Sequence, residues 1–393
     1  YSLLGWPNIF HTILFRLNMH SRLFSSSFRR AVVASVKKTN PSLKCPPRLQ
    51  TRCLHSDLET TRFNKLSLRD YELPPKILSR LHTPAVVVYL DKVRHNIETV
   101  LKLCGGDPNR WRPHVKTTKS SRLFRECIDY GVTNFKCATP RETQVLGKLL
   151  KDYVGHGDIL VAYPLVGPNL AKLKQIARDI APVTLSVLVE DCETVADVPT
   201  ELGIFVDVNP GMDRSGMPLQ TAEDGGLLAV AQQIEASKVG RFRGIHMYNG
   251  HARAFADGDE RTHQLGLSYD RLLKMRDDLL THGINAREVI TSGSLGIGCA
   301  INHKGLSELN STTDAVHRVS PGTVVLHDLN SDLHCDELGD LVPASVLVTR
   351  VVSQPNPGAG IFTADCGSKS LACEAGDPVA FVIGHREFVP RGN

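Results

Sequence analysis

No two of the ten cysteines in this 393-residue sequence stand in a C-x-x-C pair, so neither a disulfide framework nor a zinc-finger spacing is present. Their scatter fits a reducing compartment, with most thiols acting as small apolar side chains. No run of about 18 apolar residues occurs, which argues against a helical membrane span. No acidic residue precedes Asp57, whereas residues 1–56 carry nine Lys or Arg. The rest of the chain holds 37 basic and 41 acidic side chains, so the net charge of +5 resides in this leader. The body therefore offers no nucleic-acid surface. The leader is also Ser-rich (Met19-His-Ser-Arg-Leu-Phe-Ser-Ser-Ser-Phe-Arg-Arg), a transit-peptide composition that predicts mitochondrial import, with the cytoplasm as the alternative. Met19 is a candidate start of translation, which would leave 1–18 outside the protein.

A G-x-G-x-x-G turn is missing too, which disfavours an open doubly wound sheet. What is present is a rhythm. A first strand, Ala85-Val-Val-Val-Tyr-Leu90, ends at Asp91, read as the N-cap of the next helix. Eight β-rich runs follow at 112–116, 134–138, 158–162, 183–189, 204–208, 243–247, 288–292 and 316–320. Helical stretches lie between most of them, among them 140–151, 168–179, 221–237 and 260–283. The pattern predicts an α/β protein, a (β/α)8 TIM barrel over 83–325. After Gly322 the strands lose their helices, at 341–352, 360–365 and 378–383. These predict a C-terminal β-rich domain built from 57–82 together with 326–393, following a leader over 1–56.

In such a barrel the chemistry sits at the C-terminal ends of the strands, with phosphate often held after strands seven and eight. The first run, Arg112-Pro113-His114-Val115-Lys116-Thr117-Thr118-Lys119, puts Lys116 there. Lysine forms a reversible imine with an aldehyde, and apolar surroundings lower its pKa. The seventh run ends in Thr291-Ser292-Gly293-Ser294-Leu295-Gly296 and the eighth in Ser320-Pro321-Gly322-Thr323, loops whose backbone N–H groups and hydroxyls suit a dianion. The fifth carries Gly211-Met-Asp-Arg214-Ser-Gly216, with Arg214 in reach of a ring oxygen or nitrogen. The sixth carries Tyr248-Asn-Gly-His251, an aromatic surface and an acid/base. Taken singly these are ordinary residues: a surface lysine, a loop salt bridge, a helix-start histidine. A lysine at one rim and a phosphate cup at another point to pyridoxal 5′-phosphate.

The R-P-H-V-K-T-x-K run, the G-M-x-R-x-G loop, the Y-x-G-H turn and the late Asp365-Cys-Gly-Ser-Lys369 together resemble the D-threonine aldolase/D-serine dehydratase family. These are fold-type III pyridoxal-phosphate enzymes related to alanine racemase in their barrel. The resemblance runs from about 66 to 393 in order along the chain. It implies Lys116 as the cofactor lysine, His251 as a catalytic acid/base, and Arg214, Tyr248, Ser292, Gly293, Ser294, Gly322 and Thr323 as cofactor contacts. It implies a lyase acting on D-3-hydroxy amino acids, aldolase-like by its Y-x-G-H form, with D-serine dehydratase as the alternative. It also implies a homodimer in which Asp365 and Lys369 act at their own or the neighbouring site. The sequence departs from the family at Thr118, where a histidine is usual, in the Ser292–Gly296 loop and at Val324. Family members carry a divalent-metal pair, zinc or manganese, as a His and a Cys or Asp two residues on in the last strands. That pair is expected only beyond Asn393, so the β domain reads as stopping short and this chain as weakly active or inactive. His334-Cys335-Asp336 has the spacing but sits in a polar loop. Two other classes compete. A non-catalytic pyridoxal-phosphate carrier uses such a barrel without a second domain. An alanine racemase needs a β-domain tyrosine, and no tyrosine follows Tyr269.

Overall fold

The computed structural model describes residues 66–238, 241–255, 258–312, 314–327, 335–356, 361–367, 370 and 380–383, with the backbone of 14–18. Most of residues 1–65, Lys369, His334 and the residues after Ile383 lie outside that set. The chain divides into two compact units, one of 91–326 with 334–342 and one of 1–90, 327–333 and 343–393.

The larger unit is the α/β barrel. Counting the 112–116 segment as the first, the second to eighth strands pair in parallel in sequence order: Asn134–Cys137, Asp158–Val161, Thr184–Val189, Gly203–Asn209, Phe242–Met247, Glu288–Thr291 and Val316–Val319. All lie within or one residue outside the runs read from the sequence, because buried parallel strands are near-continuous apolar runs. The expected first strand at 112–116 needs correction. It joins the sheet through isolated bridges only, Trp111 with Val319 and His114 with Lys136. Arg112 N donates to Val319 O (2.9 Å) and Val115 N to Lys136 O (2.8 Å), so the segment still spans both sheet edges. Pro113 has no N–H to extend a ladder.

Helices cover the sheet. Pro140–Tyr153 starts at Thr139, whose hydroxyl accepts from Glu142 N, while the Glu142 carboxylate accepts from Ala138 N. It buries Leu146 and Leu150, each worth about 1.5–3 kcal/mol. Gly147 lets Ile180 of the next helix, Gly167–Ile180, come closer than a Cβ would permit. The expected helix at 221–237 is broken at Asp224 and Gly225, the glycine with φ 97°, and resumes as Leu227–Ser237. Asp91 is not a cap: the helix is Leu90–Leu103 and Asp91 falls in its first turn.

The barrel interior is layered. At the N-terminal end Arg112, fully buried, pairs with Asp158 (2.8 Å) and Glu288 (2.7 Å), and Arg243 and Arg318 join the same carboxylates. Leu160, Leu188, Phe205 and Ile290 fill the middle. Lys136, Asp207 and His246 lie toward the C-terminal end.

The smaller unit has its own sheet and core. Ala85–Val88 runs antiparallel to the start of Ser345–Asn356, and Ile361–Ala364 runs antiparallel to its far end through register shifts. The backbone of Leu14–Asn18 pairs in parallel with Leu347–Arg350 and with Phe381–Val382. Tyr71, Leu78, Val346, Val348 and Ile383 form the core. The described part of 57–82 supplies short helical turns, Leu68–Tyr71 and Pro75–Leu78, rather than strands. No described helix is long and apolar enough to cross a membrane.

Candidate active site

Lys116 follows the bridge at His114 and enters a turn closed by Lys119 N and the Thr118 hydroxyl, which both donate to Val115 O. It is half-buried. Burial, and then the charge of Arg214, lower its amine to about 8, with Glu142 working the other way. Tyr248, just past the sixth strand, is the hub. The Arg214 guanidinium lies 4.8 Å from its ring centre and Lys116 Nζ 6.0 Å. Gly293 lies against the same ring, since a Cβ there would stand 3.0 Å from Tyr248 Cε2. Three loops from distant parts of the sequence thus meet the Tyr248 ring.

The loops after strands six, seven and eight hold unsatisfied polar atoms. Ser292 adopts a left-handed backbone (φ 56°), and its N–H donates to Asn249 Oδ1 at 3.4 Å. Ser292 Oγ, Ser320 Oγ and Asn249 Nδ2 are buried with no hydrogen-bond partner among the described residues. Buried groups of this kind normally find partners, so three together fit an anion with several acceptor oxygens. The Thr117 and Thr323 hydroxyls, 3.3 Å apart, join the first and eighth rims. A Cβ at Gly322 would overlap the carbonyl of His114, so glycine is needed for that approach. Ser294 opens a short 3-10 turn, Ser294–Gly296. Lys119 and Asp213 share the left-handed backbone of Ser292, so loops after strands one, five and seven all carry a strained non-glycine residue.

Other expected residues sit elsewhere. His251 packs edge-on against Phe255 (5.8 Å), and burial lowers its pKa below the usual 6.5. Its Nδ1 is buried without a described partner. Asp365 belongs to the smaller unit, where its carboxylate accepts from the Thr349 hydroxyl (2.6 Å), Arg350 N (3.0 Å) and the Thr83 hydroxyl. Burial works to raise its pKa, and these bonds hold it low. Its position is explained by tying strands together. Cys335 donates to Glu337 (3.3 Å), and burial pushes its thiol up to about 12. Among the described residues no three His, Cys, Asp or Glu side chains group as metal ligands.

Sequence reasoning missed three residues. Lys136 Nζ lies 2.8 Å from His246 Nε2, and His246 Nδ1 lies 2.6 Å from Asp207 Oδ1. All three are buried, and Lys136 Nζ is 5.9 Å from the Tyr248 ring centre. The available signal was a lysine inside an otherwise buried strand, Asn134-Phe-Lys-Cys137.

Residues 88–311 match the family described as alanine racemase, N-terminal domain, and the chain belongs to that family. It is 25% identical over 320 residues to a 3-hydroxy-D-aspartate aldolase of Paracoccus denitrificans (strain Pd 1222), covering 79% of this chain and 78% of the relative. It is 25% identical over 334 residues to a D-threonine aldolase of an Arthrobacter species, covering 80% of each. Among solved structures, D-threonine aldolase from Filomicrobium marinum superposes with a TM-score of 0.62 at 20% identity, over 77% of each chain, and speaks to the fold.

Proposed function

We propose that this chain is a pyridoxal 5′-phosphate-dependent lyase that cleaves D-3-hydroxy amino acids to glycine and an aldehyde. The observation that carries the reading is the meeting of Lys116, Arg214 and the Tyr248 ring, with Ser292 Oγ, Asn249 Nδ2 and Ser320 Oγ on the adjoining loops lacking partners among the described residues. The aldolases among the relatives support the same substrate class.

When bound, the cofactor supplies an aldehyde carbon for a lysine amine and a ring that withdraws electrons from Cα. The protein's share follows from its own groups. Lys116, with an amine lowered to about 8, is free base often enough at neutral pH to act as nucleophile and to move a proton at Nζ. Arg214 provides a fixed cation over Tyr248, and the tyrosine ring gives a flat wall. Ser292 Oγ, Ser320 Oγ and Asn249 Nδ2 are free to donate to phosphate oxygens. His251 packs against Phe255 rather than on the Lys116–Arg214–Tyr248 cluster, and no proton step is derived for it. The residues present fit pyridoxal phosphate. The described residues give no metal-ligand group, and no step is derived through one.

Purified full chain mixed with pyridoxal phosphate should develop a visible absorbance band that Lys116→Ala abolishes. With D-threonine the expected products are glycine and acetaldehyde. Formation of 2-oxobutyrate and ammonia instead would assign the dehydratase reaction, and the lack of any band would refute the cofactor.

A further inference from the structure

Arg214 is an exposed, long side chain on a loop whose backbone alone would not keep it in place. Between Asn209 and Met217 three residues take the left-handed conformation: Gly211 (φ 114°), Asp213 (φ 54°) and Gly216 (φ 98°). Asp213 does so without a glycine's freedom. The Asn209 side chain organises the near half of the loop. Its Oδ1 accepts from the N–H groups of Gly211 (2.9 Å), Met212 (3.0 Å) and Asp213 (3.1 Å), and its Nδ2 donates to Asp213 Oδ1 (3.0 Å). The far half is held by two carboxylates at the ends of neighbouring strands. Ser215 Oγ donates to Asp207 Oδ2 (2.9 Å), and Gly216 N donates to Glu190 Oε2 (2.6 Å). Glycine is needed at 216, where a Cβ would stand 2.9 Å from Asn209 N and 3.1 Å from Asp207 Cγ.

Asp207 has a second task. Its Oδ1 lies 2.6 Å from His246 Nδ1, and a carboxylate only accepts, so the histidine donates. His246 stands two residues before Tyr248, and its Nε2 is held in turn by Lys136 Nζ at 2.8 Å. Asp207 and His246 are both buried, where such bonds are strongest. One carboxylate therefore ties the loop that carries the cation to the strand that leads into the ring. The guanidinium and the ring meet at 4.8 Å. Separate anchors would fix each partner to the barrel, whereas a shared one also fixes them to each other. Resting on the cofactor reading above, we propose that Asp207, through Ser215 and His246, and Glu190, through Gly216, hold the Arg214 guanidinium over Tyr248 before any ligand arrives. Both carboxylates are thus positioning residues, acting through Arg214.

The first test needs no cofactor. Phenylglyoxal modifies arginine side chains, and peptide mass spectrometry of the full chain gives its rate at Arg214. Ser215→Ala and Glu190→Ala should speed that rate about two- to tenfold, the range one lost hydrogen bond allows. Glu190→Gln, which keeps an acceptor for Gly216 N, should label near the wild-type rate. In a Tyr248→Ala background the same substitutions should add nothing, because the contact they preserve is already gone. A loop that is merely loosened would label faster with or without the ring. Unchanged labelling in Ser215→Ala and Glu190→Ala, or acceleration that persists in Tyr248→Ala, would overturn the proposal. Should Glu190→Ala lose its circular dichroism, Ser215→Ala with and without Tyr248→Ala decides alone. Titration with pyridoxal phosphate separates the two ideas. Faster labelling of the variants with no absorbance band in the wild type sinks the cofactor reading alone, and a band with unchanged labelling sinks the positioning role alone. Where both hold, Ser215→Ala should weaken cofactor binding about two- to tenfold, and not at all when combined with Arg214→Ala. An equal loss in both backgrounds would also overturn the proposal.

Discussion

The guanidinium of Arg214 stands 4.8 Å from the centre of the Tyr248 ring, although 34 residues and a helix separate them in sequence. A cation over an aromatic face is worth about 0.5–2 kcal/mol, more when desolvated. Tyr248→Ala should therefore weaken pyridoxal phosphate binding by roughly two- to thirty-fold, from this term alone. Absorbance titration with the cofactor measures it, and Tyr248→Phe, which keeps the ring, should retain most of the affinity.

Two glycines at the rim are expected to behave differently. A Cβ at Gly322 would meet the His114 backbone, which cannot yield without moving the first barrel segment from the eighth strand. Gly322→Ala should cost about 1–3 kcal/mol of stability, seen as a lower urea midpoint. At Gly293 the nearest atom is the edge of the Tyr248 ring, so Gly293→Ala should leave the urea midpoint nearly unchanged and lower cofactor affinity.

At the opposite end of the barrel, Glu288 serves Arg112 and Arg318 together. Removing it strands buried cations, and such breaks cost about 3–5 kcal/mol. Glu288→Ala should unfold at much lower urea concentration than wild type. Lys148→Ala, which breaks an exposed pair with Asp152, should change stability by about 0.5 kcal/mol or less.

The pH dependence of the site follows from Lys116. Its amine is lowered from 10.5 to about 8 by burial and by Arg214, so it loses its proton as pH rises through about 8. The rate of band formation with pyridoxal phosphate should climb across that range and level off above it. In the window from about 8 to 10.5 the unfolded chain binds more protons at this lysine than the folded one. Lys116 then contributes stability that rises with pH, and Lys116→Met should flatten that rise in urea titrations at fixed pH values.

Much of this arrangement was legible in one dimension. The runs ending near Val161, Val189, Met247 and Thr291 are apolar because both sheet faces are covered, and amphipathic stretches such as Pro140–Tyr153 announce the helices between them. Lys116, Arg214 and Tyr248 were readable because strand ends of a parallel barrel face one rim. The Asp207–His246–Lys136 chain was not readable, since nothing in a strand's two-residue period says which face turns inward. The 110 residues between Lys136 and His246 are closed only by the barrel. The bridge-only character of Trp111–Lys116 was hidden for a related reason. Its apolar look matches a strand, whereas Pro113 and the neighbouring edges decide how many bonds form.

The sequence by itself determined the order of β and α elements, the acid-free composition of residues 1–56 and the loops on which the chemistry-bearing residues ride, because spacing and composition are local properties. Only the tertiary structure decided that Lys116 and Lys136 share one aromatic neighbour, that Asp365 binds within its own sheet, and that Ser292 Oγ, Asn249 Nδ2 and Ser320 Oγ have no partner among the described residues. Those outcomes depend on which side chains meet after the chain closes on itself and water leaves, and such meetings set the hydrogen bonds and proton affinities of the site.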